Sequence, residues 1–233
     1  MALFKRKNKE DGQKFKSLLN TPRLDLRHSI PSAIAKVKAL NAALVILPKE
    51  PSEELMAAYG SIPRKNVATE LYLEKDEELR DINGCSVIEC MPGSDKTVYM
   101  INGIGVFLNH TQGGTPRVVG NGVFVCSKGT KVDMLSANGL TVQLDFEIEN
   151  TKLFPGAISL DRSFFENIKE NTVVACGGVM TVELDVTPEV LQGRNLFLAA
   201  GGKIKCSKRL LGVWHQRLRR PVPPAKNKEK TER

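Results

Sequence analysis

Asparagine recurs in this chain at similar intervals, each time just before a short aliphatic or β-branched run. The intervals are 25, 17, 19, 19 and 17 residues, and in the last four repeats glycine follows the asparagine. The repeated residues are Asn41, Asn66, Asn83, Gly84, Asn102, Gly103, Asn121, Gly122, Asn138 and Gly139. A period of this length, with one turn signal and one strand per unit, is typical of stacked solenoids. The sequence therefore predicts an extended structural or binding surface rather than a pocket for chemistry.

Asparagine and glycine suit this pattern because both tolerate left-handed backbone angles, which sharp turns require. We expect these residues to form a ladder of stacked turns, in which side-chain amides hydrogen-bond from one rung to the next. Asn-Gly is also the strongest short-range hairpin signal, so an antiparallel barrel or sandwich is the alternative. Hairpins in sandwiches recur about every 8–12 residues, and the longer period here favours the solenoid.

The fold class that we predict is mainly β: a β-solenoid, or β-helix, with a small N-terminal helical portion and basic disordered tails. Two helix starts are predicted near the N-terminus, at Ser29 and Ser52, since serine is a favoured N-cap residue. The predicted segments are a basic flexible N-terminal segment at 1–22, a helix-containing cap and first rung at 23–62, a solenoid core at 63–208, a C-terminal cap at 209–218 and a basic disordered tail at 219–233.

Positive charge is concentrated at the two ends of the chain. The formal net charge is +8, of which residues 1–16 carry +4 and residues 207–233 carry +7, so the remainder carries −3. A mildly acidic body with basic ends indicates that anionic partners are met by the termini. At the N-terminus, Leu3 and Phe4 precede Lys5, Arg6 and Lys7. This order predicts contact with an anionic membrane surface, in which the apolar pair enters the interface and the cations meet headgroups.

Signals for catalysis are missing from the sequence. It contains neither a P-loop nor a Gly-x-Ser-x-Gly nucleophile elbow, and its three histidines lie far apart. The five cysteines form no Cys-x-x-Cys pair, and we expect them to be small buried hydrophobic residues rather than metal ligands or disulfides. We therefore predict no enzyme activity, no catalytic, cofactor-binding or metal-binding residues, and no small-molecule substrate.

These features together resemble the bactofilins, bacterial polymer-forming proteins with a β-helical core between disordered tails. The segments that carry the resemblance are Met1 to Lys7, the rung-like stretch from Asn83 to Cys206, and the proline-rich basic tail from Pro221 to Arg233. The chain departs from the family in its less regular rungs and in the helical stretch from Ser29 to Gly60. The resemblance implies a cytoskeletal scaffold that polymerises and attaches to the membrane.

We expect a non-enzymatic scaffold that self-associates through the solenoid and docks on an anionic membrane surface through its basic termini. Such a protein would be cytoplasmic and peripheral at the inner face of the membrane. Two alternatives remain from the sequence: a solenoid module that binds a protein or polysaccharide, and a nucleic-acid accessory protein that contacts phosphates through its basic C-terminal tail.

Overall fold

The computed structural model describes residues 18–109 and 113–210, and these residues fall into two compact units divided between Glu77 and Glu78. This division lies further along the chain than the predicted boundary between residues 62 and 63. Strands dominate both units, which confirms the mainly β prediction. Every strand pair among the described residues is parallel, whereas the hairpin alternative requires antiparallel pairs.

The first unit contains one parallel sheet of three strands in the order β1-β2-β3. Its elements are β1 (Leu18–Asp25), α1 (Pro31–Ile34), β2 (Ala39–Pro48), α2 (Glu53–Gly60) and β3 (Arg64–Leu73). The predicted flexible N-terminal segment, 1–22, therefore includes the start of a strand. Several buried side chains of β2 and of both helices form a single cluster, which contains Ile34, Leu40, Ala42, Val45, Leu47, Leu55 and Tyr59.

The two predicted N-terminal helices are both present, but they differ in how well their bounds were predicted. Helix α2 begins where expected, with the Ser52 hydroxyl accepting a hydrogen bond from the Leu55 amide at 3.2 Å. Helix α1 is a single turn whose N-cap is Ile30 rather than Ser29. It ends at Ile34, and Leu40 belongs to β2, where it is fully buried.

A buried arginine, Arg27, joins two segments of the first unit through hydrogen bonds. The guanidinium of Arg27 donates hydrogen bonds to both carboxylate oxygens of Asp25, the closest at 2.8 Å, and to the carbonyls of Glu74 and Glu77 at 2.9 and 2.8 Å. Only 7% of its side chain is exposed. The arginine therefore ties the segment that follows β3 to the residues that follow β1.

This contact gives the first unit an acid-sensitive group at Asp25. Burial raises the pKa of this carboxyl, but the hydrogen bonds from Arg27 outweigh burial and leave the pKa below its usual value. A depressed folded-state pKa contributes stability above the unfolded-state pKa, roughly 3.9, and that contribution is lost as the pH falls through the folded-state value. We expect Asp25→Asn to reduce the free energy of unfolding at pH 7, with the difference from wild type shrinking below about pH 4. Urea titrations across this pH range measure it, and a difference that grows on acidification contradicts the assignment.

The second unit begins with four long strands in one parallel sheet, ordered β4-β5-β6-β7. These strands are β4 (Glu78–Glu89), β5 (Thr97–Leu108), β6 (Arg117–Cys126) and β7 (Asp133–Gln143), and a short 3₁₀ turn, Ser94–Lys96, precedes β5. Six shorter strands follow in two further parallel sheets, β12-β10-β8 and β13-β11-β9. They are β8 (Asn150–Phe154), β9 (Ile158–Leu160), β10 (Thr172–Cys176), β11 (Met180–Val182), β12 (Leu196–Ala200) and β13 (Ile204–Lys205), with helices α3 (Arg162–Glu166) and α4 (Pro188–Leu191) between them.

The later half of each central strand is buried on both faces. In β5, Ile104 and Val106 pack in a cluster with Val173 and Ala175 of β10, while Phe107 packs in another cluster on the opposite face. Strands covered on both sides are expected to be continuously apolar, as parallel strands usually are. This explains the unbroken apolar run at residues 104–108.

Leu210, at the start of the predicted C-terminal cap, is fully buried in the core of the shorter strands, and 211–218 lies outside the described residues.

Candidate functional site: the asparagine–glycine column and its edge strands

The four Asn-Gly pairs of the second unit lie side by side in its central sheet. Asn83 pairs with Asn102, Asn102 with Asn121, and Asn121 with Asn138, and the four following glycines pair in the same register. Parallel strands lie about 4.8 Å apart, so the repeated residues form a continuous column across the sheet. We call these eight residues the Asn-Gly column.

The column lies within the strands rather than at turns between them. Strands β4, β5, β6 and β7 each continue through their Asn-Gly pair, so the structure differs from the predicted ladder of turns. Three of the glycines nevertheless have left-handed φ values: 89° at Gly84, 137° at Gly103 and 142° at Gly122. The backbone preference of glycine is therefore used to change direction within a strand while the strand's pairing continues.

Close backbone contact is the second reason for glycine at these positions. A Cβ atom added to Gly103 would lie 2.2 Å from the carbonyl oxygen of Gly84. The same atom on Gly122 would lie 1.7 Å from the oxygen of Gly103, and on Gly139 it would lie 1.9 Å from the oxygen of Gly122. No side chain larger than hydrogen fits at these three positions without moving the neighbouring strand.

The asparagines of the column are exposed, and no side-chain hydrogen bond found among the described residues joins one of them to another. The predicted amide ladder occurs elsewhere. In the first unit, where Asn20, Asn41 and Asn66 share one register, the Asn41 amide donates to the Asn20 side chain at 3.0 Å.

A second amide ladder, which the sequence analysis missed, lies before the shorter strands. The Asn195 side chain donates to that of Asn171 at 2.8 Å, and Asn171 donates to the Glu149 carboxylate at 2.7 Å. The available signal was the one also seen at Asn41 and Asn66, because Asn171 precedes a β-branched run and Asn195 precedes an apolar run. The glycines after β8, β10 and β12 also stack, with the Gly202 amide bonded to the Gly178 carbonyl at 2.9 Å.

The central sheet ends in two long edge strands, β4 and β7. Residues 137–140 of β7 are all exposed, and Leu140 has 41% of its surface accessible. An open groove runs along β4, lined by Arg80, Ser86, Glu89, Met91 and Tyr99 among others. Exposed edges of this length offer backbone donors and acceptors to another strand.

An ion pair on β4 and two buried cysteines of the second unit have the chemistry expected of structural residues. Arg80 bonds Glu78 in an ion pair of 3.1 Å whose two side chains are more than half exposed. Burial raises the pKa of Cys90 to about 11 and that of Cys126 to about 12, which keeps both thiols protonated and unreactive. Within residues 18–109 and 113–210, no group of three or more His, Cys, Asp or Glu residues is arranged to hold a metal ion.

The predicted membrane-contact residues, Leu3 to Lys7, lie outside the described part of the chain. Among the helices that the structure describes, none has the length and apolar character needed to cross a bilayer.

Comparisons with models of known protein families, with curated proteins and with solved structures found no match to this chain. The resemblance to the bactofilins therefore stays a prediction from sequence.

Proposed function

We propose that this protein is a non-enzymatic scaffold: its stacked strands form a β-solenoid, copies associate through the solenoid, and the basic termini dock the assembly on an anionic membrane surface. The observation that carries the proposal is the Asn-Gly column, which runs in one register across four parallel strands and ends at two long edge strands. A repeat of this kind has no intrinsic stopping point, and an uncovered terminal repeat favours association.

Charge placement supports the docking part of the proposal. Residues 1–16 carry +4 and residues 207–233 carry +7. Each cation near an anionic leaflet contributes about 1 kcal/mol, and apolar side chains buried at the interface in combination with such cations strengthen the binding. Leu3 and Phe4 beside three consecutive cations provide such a combination.

Two measurements on the purified full chain test the two parts of this function. Sedimentation velocity and electron microscopy across a range of concentrations are expected to show assemblies that grow with concentration. Particles that stay monomeric at every concentration would contradict the scaffold.

Vesicle pelleting tests the docking. We expect the chain to pellet with vesicles containing phosphatidylserine, but not with vesicles of phosphatidylcholine alone. The triple variant Lys5→Gln, Arg6→Gln, Lys7→Gln is expected to pellet at least tenfold more weakly, since three surface cations are lost. A control variant removes the same charge from three exposed lysines of the body: Lys128→Gln, Lys131→Gln and Lys152→Gln. Equal losses in the two variants would contradict docking through the N-terminus, and retention of DNA in place of vesicles would favour the nucleic-acid alternative.

A further inference from the structure

Gly84 is the exception in the Asn-Gly column. A Cβ atom on Gly103, Gly122 or Gly139 would collide with the carbonyl oxygen of the column's preceding glycine. A Cβ atom on Gly84 would meet no atom within 4 Å, although Gly84 has the same left-handed kind of φ, 89°. The space that a neighbouring carbonyl fills at each later glycine is therefore open at the first one.

The opposite end of the column also lies at an edge of the sheet. Each glycine carbonyl from Gly84 to Gly122 points at the next glycine of the column. Gly139 is the last member and lies on the exposed edge strand β7, where the repeat continues no further within the sheet. The edge at β4 therefore presents the space that a glycine carbonyl occupies at every later position, and the edge at β7 carries the last glycine of the column.

We infer that β7 of one copy pairs with β4 of a second copy, parallel and in the register of the Asn-Gly column. The inference rests on the proposed scaffold function and names its contact. It places Gly139 of one copy beside the open position at Gly84 of the next. Because the two surfaces differ, the contact is head-to-tail, and such contacts build open filaments unless the rotation closes a ring.

The side chains at this register are compatible with pairing. Counting outward from Asn138 beside Asn83, Leu140 falls beside Cys85, and Val142 falls beside Val87. Leu140, which is 41% exposed, would thereby gain an apolar neighbour. Beyond the register shift at Val118/Val119, Asp133 pairs with Arg117 and so takes the position of Leu79, where it faces no carboxylate directly.

Alanine at Gly84 tests the contact, and Gly93 supplies a matched control. Gly93 has φ 87°, and a Cβ atom there also meets nothing within 4 Å, but it lies outside the column. Both substitutions strain the backbone equally, so we expect equal shifts in melting temperature. Only Gly84→Ala should raise the concentration for half-assembly, by at least tenfold in sedimentation velocity.

The other edge is tested by Leu140→Lys, since a lysine on an edge strand opposes pairing. Its control is Leu184→Lys, at a side chain that is 84% exposed and lies outside the strands. Gly84→Ala retains an intact β7, and Leu140→Lys retains an intact β4. A head-to-tail contact therefore predicts that the two variants, each monomeric alone, form a one-to-one dimer when mixed and that this dimer does not grow.

The outcomes separate this inference from the function on which it rests. If the wild-type chain never assembles, the scaffold function fails and the contact fails with it. If the wild type assembles and Gly84→Ala assembles equally well, only the contact is overturned. A melting temperature much lower in Gly84→Ala than in Gly93→Ala would show that another part of the same chain fills the space, which also overturns the inference.

Discussion

Gly122→Ala is expected to unfold the central sheet of the second unit. The added Cβ would lie 1.7 Å from the Gly103 carbonyl oxygen, and the backbone φ at this position is 142°. Strands β5 and β6 would have to separate to remove the clash, and the later half of each strand is packed on both faces. Effects of this kind lie in the exceptional range, above about 4 kcal/mol. Urea unfolding gives the loss, and hydrogen exchange should locate it in β5, β6 and β7.

Two milder alanine substitutions separate the clash from the backbone strain. Gly156→Ala adds a Cβ with nothing within 4 Å at an ordinary φ, so we expect unchanged stability or a small gain, about 0.4–1 kcal/mol. Gly93→Ala adds left-handed strain without a clash, which costs about 1–2 kcal/mol. If Gly122→Ala costs no more than Gly93→Ala, the close stacking of the column is wrong.

Arg27→Met is expected to destabilise the first unit by about 3–5 kcal/mol, because it removes one partner of a largely buried ion pair and the guanidinium that donates to the buried Glu77 carbonyl. The Asp25 carboxylate and the carbonyls of Glu74 and Glu77 all lose the guanidinium, and Asp25 keeps only the backbone N–H of residue 27 among the hydrogen bonds from this position. The matched control is Lys49→Met, which removes a 2.9 Å ion pair with Glu74 whose side chains are 63% and 51% exposed. Such surface pairs contribute at most about 1 kcal/mol. Equal losses in the two variants, measured by urea unfolding, would contradict the role assigned to Arg27.

The sequence predicts the strand content and the short helices well because both depend on local patterns. Ser52 caps α2 through its own hydroxyl, and the apolar runs after each asparagine are strands. The position of the Asn-Gly pairs within the strands was not predictable in this way. A left-handed glycine suits a hairpin turn and a bend inside a strand equally well, and only the neighbouring strand decides between them.

The candidate site depends on the ends of the sheet, which sequence patterns do not reveal. Asn83-Gly84 and Asn121-Gly122 are the same dipeptide, yet one glycine faces open space and the other faces a carbonyl 1.7 Å from its missing Cβ. The difference comes from position in the stack rather than from local sequence. The ladder through Asn171 and Asn195 was not predicted because these asparagines follow Asn138 and Asn171 at intervals of 33 and 24 residues, outside the period of 17–19 residues.

The parallel register of the Asn-Gly column is the central claim, and a disulfide tests it directly. Asn102 and Asn121 pair on neighbouring strands, so their Cα atoms should lie about 5 Å apart, within disulfide range. The buried Cys90 and Cys126 thiols, with pKa values of about 11 and 12, compete poorly at pH 8.

Mild oxidation of Asn102→Cys/Asn121→Cys is expected to give a disulfide between positions 102 and 121 within one chain, detected by peptide mass spectrometry under native conditions. The control pair, Asn102→Cys/Asn138→Cys, spans two strand spacings, roughly 10 Å, and should not close. Disulfide formation in the control but not in the adjacent pair, or in neither, would contradict the register.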